Sequence, residues 1–265
     1  MHALSFLQRV LTYFFFYVLV DTKETHIWEN YISKEPVFSS RELYPHLNKE
    51  VQKKIVQYHN YFRRAVRPSA SNMLEMTWSE EAASLAQLHA SRCEFIEHSR
   101  ARFRTIPNYG QCGENLFASK AVSQWYTGIE SWFSEYEMYR YGSSSMQRLY
   151  EEIGHYTQMV WATTHKVGCG MEYCKGGPWE DYYLYICHYC PGGNQMVEFP
   201  YKVGPPCADC PSDCNLSLCT NSCSRQDYYG NCDQLVPDAC NEGVCNATCE
   251  CTGKLYKNYP WKYST

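Results

Sequence analysis

Between Val51 and Val66 apolar residues recur at positions 51, 55, 58, 62 and 65, a spacing that gathers them on one face of a helix. Pro68 stops that helix, because proline brings no N–H to the next turn. Ser79 then stands as an N-cap, with Glu80 and Glu81 in the first turn, where the helix dipole favours negative charge. An Ala- and Leu-rich helix follows to about Cys93. A third helix is predicted over 121–137, with Trp125, Ile129, Trp132, Phe133 and Tyr136 on its apolar face. After a Gly/Ser-rich loop at 142–145, His155–Trp161 reads as a short helical piece. The period then changes. Val167–Cys174 and Tyr182–Tyr189 are β-type runs, and Gly176-Gly177-Pro178 between them reads as a hairpin connection. Helices precede strands and interleave with loops, which predicts an α+β layered domain.

The two ends follow other rules. Arg9 leads into the apolar run Val10–Val20, broken at once by Asp21, Lys23 and Glu24. A run that short suits the core of a signal peptide and cannot span a bilayer as a helix. Residues 1–20 therefore read as a signal peptide and 21–48 as a lead-in without sustained period. Ten of the 16 cysteines fall between Cys207 and Cys251, a density that marks a small disulfide-stapled module in an oxidising compartment. Gly204-Pro205-Pro206 reads as a stiff linker separating that module from the larger domain. The mature protein is expected to be soluble, secreted and extracellular.

Charge narrows the partners. A net charge of −4 with interspersed signs offers no field for nucleic acid. The 24 tyrosines and 7 tryptophans suit a surface that binds, and equally a core in which each polar tip finds a partner. The sequons at Asn215 and Asn246 are candidate glycosylation sites. From Cys207 to Cys251 the acids Asp209, Asp213, Asp227, Asp233, Asp238, Glu242 and Glu250 face one base, Arg225. Arg225 with Tyr228 and Tyr229 is the candidate basic-aromatic dyad of the kind that plugs cation pores, in a module otherwise too acidic for that task. Lysines return in the tail 252–265, interleaved with Tyr256, Tyr259, Trp261 and Tyr263. Such a tail suits an anionic membrane surface or an acidic groove.

Three segments carry a family resemblance. Gly154-His155-Tyr156-Thr157-Gln158-Met159-Val160-Trp161, continuing to Gly168-Cys169-Gly170, is similar to the first signature of the CAP superfamily. Tyr185-Ile186-Cys187-His188-Tyr189-Cys190-Pro191-Gly192-Gly193-Asn194 is similar to the second, and Cys112-Gly113-Glu114-Asn115-Leu116 to its GEN box. With Gly204-Pro205-Pro206-Cys207-Ala208-Asp209-Cys210-Pro211 and Leu218-Cys219-Thr220-Asn221, the chain resembles a cysteine-rich secretory protein (CRISP) from about residue 49 to 251. The resemblance implies an α-β-α sandwich CAP domain over 49–200. It implies a two-disulfide hinge over 201–221 and a toxin-like helical cysteine-rich (ShKT-like) module over 222–251. Counting alone leaves roughly two million ways to pair sixteen cysteines. The resemblance implies one of them: Cys93–Cys174, Cys112–Cys190 and Cys169–Cys187, then Cys207–Cys214 and Cys210–Cys219, then Cys223–Cys251, Cys232–Cys245 and Cys240–Cys249.

The resemblance also implies a cleft lined by His98, Glu114, Glu135 and His155. Spacing alone would not find this set, because it is scattered along the chain without a local ligand motif. Imidazole and carboxylate both ligate Zn2+, so a divalent ion suits it; a hydrogen-bonded cluster in which each glutamate orients a histidine suits it as well. No HExxH helix, GxSxG elbow or lone reactive cysteine is present to make the cleft hydrolytic. The leading expectation is a secreted, non-enzymatic CRISP. Its partner would be a membrane channel or a gamete-surface protein, in channel modulation, sperm maturation or gamete interaction. A metal-dependent extracellular hydrolase and a sterol or lipid carrier are the alternatives.

Overall fold

The computed structural model describes residues 38–225, 227, 232–235 and 238–256. The expected signal peptide, the lead-in up to residue 37, Tyr228, Tyr229 and the tail beyond Tyr256 lie outside the described residues. Helix α1 (Lys49–Arg64) starts two residues before the apolar stripe, because the Asn48 side chain caps it by accepting from Glu50 N at 3.0 Å. Its stripe Val51, Ile55, Tyr58 and Phe62 is buried. Residues 39–48 are not simply extended: they hold a turn of 3-10 helix at Pro45–Leu47, and the buried Leu43 accepts at its carbonyl from Trp125 Nε1.

Strand β1 (Thr77–Trp78) leads into α2 (Glu80–Ala90), where Ser79 Oγ accepts from Ala82 N at 3.2 Å as the cap requires. A small ribbon, β2 (Thr105–Ile106) with β3 (Gly110–Gln111), precedes β4 (Gly113–Ser119), a strand that the sequence pattern did not announce. Helix α3 (Trp125–Ser134) begins later than the expected 121 and runs into a 3-10 turn to Glu137. Its start is delayed because Ser123 is held outside it, bonded through its backbone N–H to the Tyr185 hydroxyl at 2.8 Å. Helix α4 (Tyr150–Met159) opens five residues before His155. The long hairpin β5 (Lys166–Gly177) and β6 (Glu180–Cys190) completes the sheet, in the order β1-β5-β6-β4, with β1 and β5 parallel and the rest antiparallel.

Strand alternation sorts the side chains into two layers. From β6, Tyr182, Leu184 and Ile186 pack with Leu116 against Ala86 and Ala90 of α2. Gly168 and Gly170 let α2 come this close, since a Cβ there would sit 2.2 Å from Ala83 N and 2.4 Å from Gln87 Cα. The opposite parity faces the other helices. Tyr185 meets Trp125 of α3 edge-on, and Tyr189 bonds His59 of α1. The domain is therefore an α-β-α sandwich, with α2 on one face and α1, α3 and α4 on the other.

Eight disulfides close the chain, and no cysteine is free among the described residues. They are Cys93–Cys174, Cys112–Cys190, Cys169–Cys187, Cys207–Cys214, Cys210–Cys219, Cys223–Cys251, Cys232–Cys245 and Cys240–Cys249. The segment read as a stiff linker is docked instead. Gly204 N donates to Ser69 O, Asp209 N to Ser71 O, and Cys219 N to Met73 O at 2.8 Å, while Glu75 N returns a bond to Cys219 O. The small ribbon β7 (Cys214–Asn215) and β8 (Leu218–Cys219) is thus laid along residues 73–75, and the described residues from Ser39 onward form one compact unit. Short helices α5 (Cys232–Leu235), α6 (Asp238–Asn241) and α7 (Asn246–Glu250) surround the last three bridges. Arg225, the base of the candidate dyad, donates to Glu250 at 2.8 Å and to Asn108 at 3.0 Å. No helix among the described residues is long and apolar enough to cross a membrane.

Candidate functional site

Glu114 lies in the edge strand β4, directly opposite His188 of β6. The Cys112–Cys190 disulfide closes the end of that ladder, two residues from each. Glu114 points to the α2 face, and its side chain is almost wholly buried. Five donors converge on it. Oε2 accepts from His89 Nδ1 at 2.8 Å, His188 Nε2 at 2.9 Å and Ser99 Oγ at 2.8 Å; Oε1 accepts from His98 Nδ1 at 2.9 Å and Ser99 N at 2.8 Å. Arg104 Nη1 stands 3.9 Å from Oε1, held by the carbonyls of Ser99 and Cys112. Burial pushes the Glu114 carboxyl up, but the hydrogen bonds from His188, His89 and His98 outweigh it and leave the group well below the usual carboxylate range. Burial likewise lowers His188, against the pull of Glu114.

Glu135 and His155 form a second pair. Glu135 follows the last turn of α3; its Oε1 accepts from His155 Nδ1 at 2.5 Å and its Oε2 from Tyr156 N at 2.9 Å. Trp132 stacks on the His155 ring at 6.4 Å and donates its Nε1 to Leu116 O. Asn115, the neighbour of Glu114, points to this opposite face. Its amide donates to His155 O at 3.1 Å and to the Tyr189 hydroxyl at 3.3 Å. His59 Nδ1 donates to Ile55 O, so its Nε2 accepts from Tyr189 Oη at 2.9 Å. Burial lowers His59 to about 4 and keeps it neutral in that role.

The four residues expected from the resemblance thus form two carboxylate–imidazole pairs, His98–Glu114 and His155–Glu135, carried by layers on opposite sides of β4. Two residues of the Glu114 cluster escaped the sequence reading, His89 and His188. Both had a signal. His89 interrupts the buried stripe Ala82, Ala86, Ala90 of α2, and His188 sits at the parity of Leu184 and Ile186 in an apolar strand. A polar side chain in a buried stripe needs a partner, and only the β4–β6 register reveals which one. The other close cluster, Cys207, Cys210 and Cys219, is spent on disulfides.

A four-stranded sheet between helical layers, a GEN strand at its edge and a bridge-rich tail docked beside it define a CAP-type domain with a C-terminal cysteine-rich extension. The family model described as Cysteine-rich secretory protein family matches residues 56–189, and the Crisp model matches 207–256. The chain belongs to the cysteine-rich secretory protein family. It is similar to human cysteine-rich secretory protein 2, 44% identical over 214 residues covering 78% of this chain and 86% of that one. It is also similar to the cysteine-rich venom protein helothermine of Heloderma horridum horridum, 43% identical over 216 residues covering 78% and 87%. Among solved structures, NaASP2 with Zn2+ shares 27% identity at a TM-score of 0.56, over 65% of this chain and 96% of that one. Na-ASP-1 shares 30% at 0.55, over 64% of this chain and 46% of that one.

Proposed function

We propose that this is a secreted, non-enzymatic protein that works by binding a cell-surface partner, a membrane channel or a gamete-surface protein. The observation that carries the non-enzymatic reading is the commitment of the buried cleft carboxylate. Glu114 accepts five hydrogen bonds, which fills its lone-pair sites, and Glu135 is engaged by His155 and by Tyr156 N. A general base needs a free carboxylate oxygen within reach of the proton it removes. The relatives named as secretory and venom proteins support action outside the cell.

At the cleft, His98 and His155 are the residues that would hold Zn2+. Each spends Nδ1 on a glutamate, the arrangement that presents Nε2 to a metal and leaves the carboxylate to orient the ring. This donor chemistry fits zinc, and Glu114 and Glu135 then act as orienting groups. A bound Zn2+ would supply a further bond between side chains of the cleft. On the surface, Asn215 is exposed and Asn246 opens α7, in keeping with glycosylation at the sequons.

The test compares the parent, Glu135→Gln and a chain ending at Asn221, which keeps the docked hinge and its two bridges. Cell binding and channel current should survive Glu135→Gln and be lost from the truncated chain. Peptide cleavage by the parent that disappears in Glu135→Gln would overturn the non-enzymatic reading in favour of a hydrolase.

A further inference from the structure

Outside the His98/His155 set, the interior of the α2 layer holds a second constellation: His89, Glu114 and His188, whose ligand atoms lie within 4.8 Å of one another. All three are buried, at 2%, 8% and 0% exposure. We propose that they form an interior Zn2+ site, with His89 Nδ1, His188 Nε2 and Glu114 Oε2 as ligands and Ser99 Oγ beside them.

Three observations carry this. First, the donor set is two imidazoles and one carboxylate, which suits a borderline ion such as Zn2+ and is wrong for Ca2+ or Mg2+, which take oxygen. Second, the spacing is close to that of a zinc centre. Bonds of about 2.0–2.2 Å at tetrahedral angles put ligand atoms roughly 3.3 Å apart. His89 Nδ1 and His188 Nε2 stand 2.8 and 2.9 Å from Oε2, so small outward shifts of the side chains admit the ion.

The third is a buried nitrogen left over. His89 Nε2 has no hydrogen-bond partner, which is uncommon for buried polar atoms. As the hydrogen bonds stand, each ring places its proton on the nitrogen facing Glu114, and His89 turns a lone pair toward Glu94 Oε2 at 3.5 Å. Zinc reverses this. The proton of neutral His89 moves from Nδ1 to Nε2, where it meets Glu94, giving the carboxylate–histidine–metal arrangement of natural zinc sites. The proton of His188 moves from Nε2 to Nδ1. No proton is lost, and Glu114 and Glu94 supply two negative charges. The Arg104 guanidinium opposes them from the Oε1 side.

The site shares Glu114 with the four-residue cleft set but uses its other oxygen, and it does not depend on how the protein acts on cells. The test uses the full secreted chain carrying His98→Gln and His155→Gln, which removes both imidazoles of the cleft set and spares the interior one. After chelation, calorimetric titration with ZnSO4 at pH 7.5 should still give one Zn2+ per chain with a Kd of micromolar or tighter. Adding His188→Gln should weaken it at least tenfold. X-ray absorption on the zinc-loaded double variant should count two imidazoles, and this reading decides the matter if the triple variant does not fold. No zinc retained by the double variant, or fewer than two imidazoles, overturns the interior site. Stoichiometry unchanged between parent and double variant would instead overturn the cleft assignment.

Discussion

Arg63 grips the carbonyl oxygen of Leu74 with two nitrogens, Nε at 3.0 Å and Nη2 at 2.7 Å. The same guanidinium donates to the carbonyls of Met159, Trp161, Ala162 and Thr164, so one buried side chain of α1 satisfies five backbone oxygens from two distant loops. Leu74 lies in the loop between α1 and β1, and the other four lie where the chain leaves α4 for β5. A lysine has three rotating donors and cannot match the planar fork. Trp161 O and Ala162 O also accept from Thr164 N and Leu74 N, so the carbonyls of Leu74, Met159 and Thr164 are the ones that rest on Arg63. Arg63→Lys should leave at least one of these three buried without a partner, at about 1–3 kcal/mol. Urea unfolding should show a loss in that range; a loss below about 1 kcal/mol would contradict the role.

Acid should weaken the fold through its buried histidines. Burial lowers His59 and His165 from 6.5 to about 4, so the folded protein resists protons that the unfolded chain accepts. Their contribution is fully present above pH 6.5 and is lost as pH falls toward 4. Each accounts for up to about 3 kcal/mol across that window. The urea midpoint should fall steadily between those values, and His59→Gln should shrink the fall. An unchanged slope in that variant would exclude His59 as a source.

Glu114→Gln keeps the shape of the side chain but turns an N–H2 group toward N–H and O–H donors. Because every acceptor lobe of Glu114 is in use, the change should cost about 2–4 kcal/mol, more than an exposed Glu→Gln change. Thermal unfolding of the variant beside Glu135→Gln, whose partner His155 can switch tautomer, checks this. Equal losses in the two would mean that the histidine cluster contributes nothing special.

Reduction should proceed from the surface inward. Cys214 is exposed and Cys93, Cys240 and Cys249 are half-buried, whereas Cys169, Cys187 and Cys190 are sealed in the sheet. Thiol–disulfide exchange needs a path for the attacking thiolate. Pulse alkylation under limiting reductant should therefore label Cys214, Cys93, Cys240 and Cys249 first. Early labelling of Cys169 or Cys187 would contradict the packing.

The helices were legible because amphipathic spacing and caps are local: the stripe from Val51 to Phe62 and the Ser79 cap needed no tertiary information. Strand β4 was not, since Gly113–Ser119 neither alternates cleanly nor carries a turn signal, and its pairing with β6 supplies what its own pattern lacks. The same gap hid the Glu114 cluster. His98 and Glu114 came from the resemblance, but His89 and His188 are joined to them only through a helix packed on a strand 99 positions away in sequence. The docked hinge escaped for a related reason. Pro205-Pro206 fixes local stiffness and says nothing of the backbone bonds that residues 69–75 offer it.

Strand β4 also sets a rule for how this chain can vary. Glu114 serves the histidines under α2, while Asn115 serves His155 and Tyr189 on the other side. Adding or removing one residue between Gly113 and Ser119 would exchange the two faces, burying a carboxylate among aromatic rings and stranding three imidazoles at once. Substitutions here can be absorbed one at a time, but changes of length cannot. Across relatives, indels should therefore cluster in the loops at 107–109 and 120–124 and avoid the strand between them.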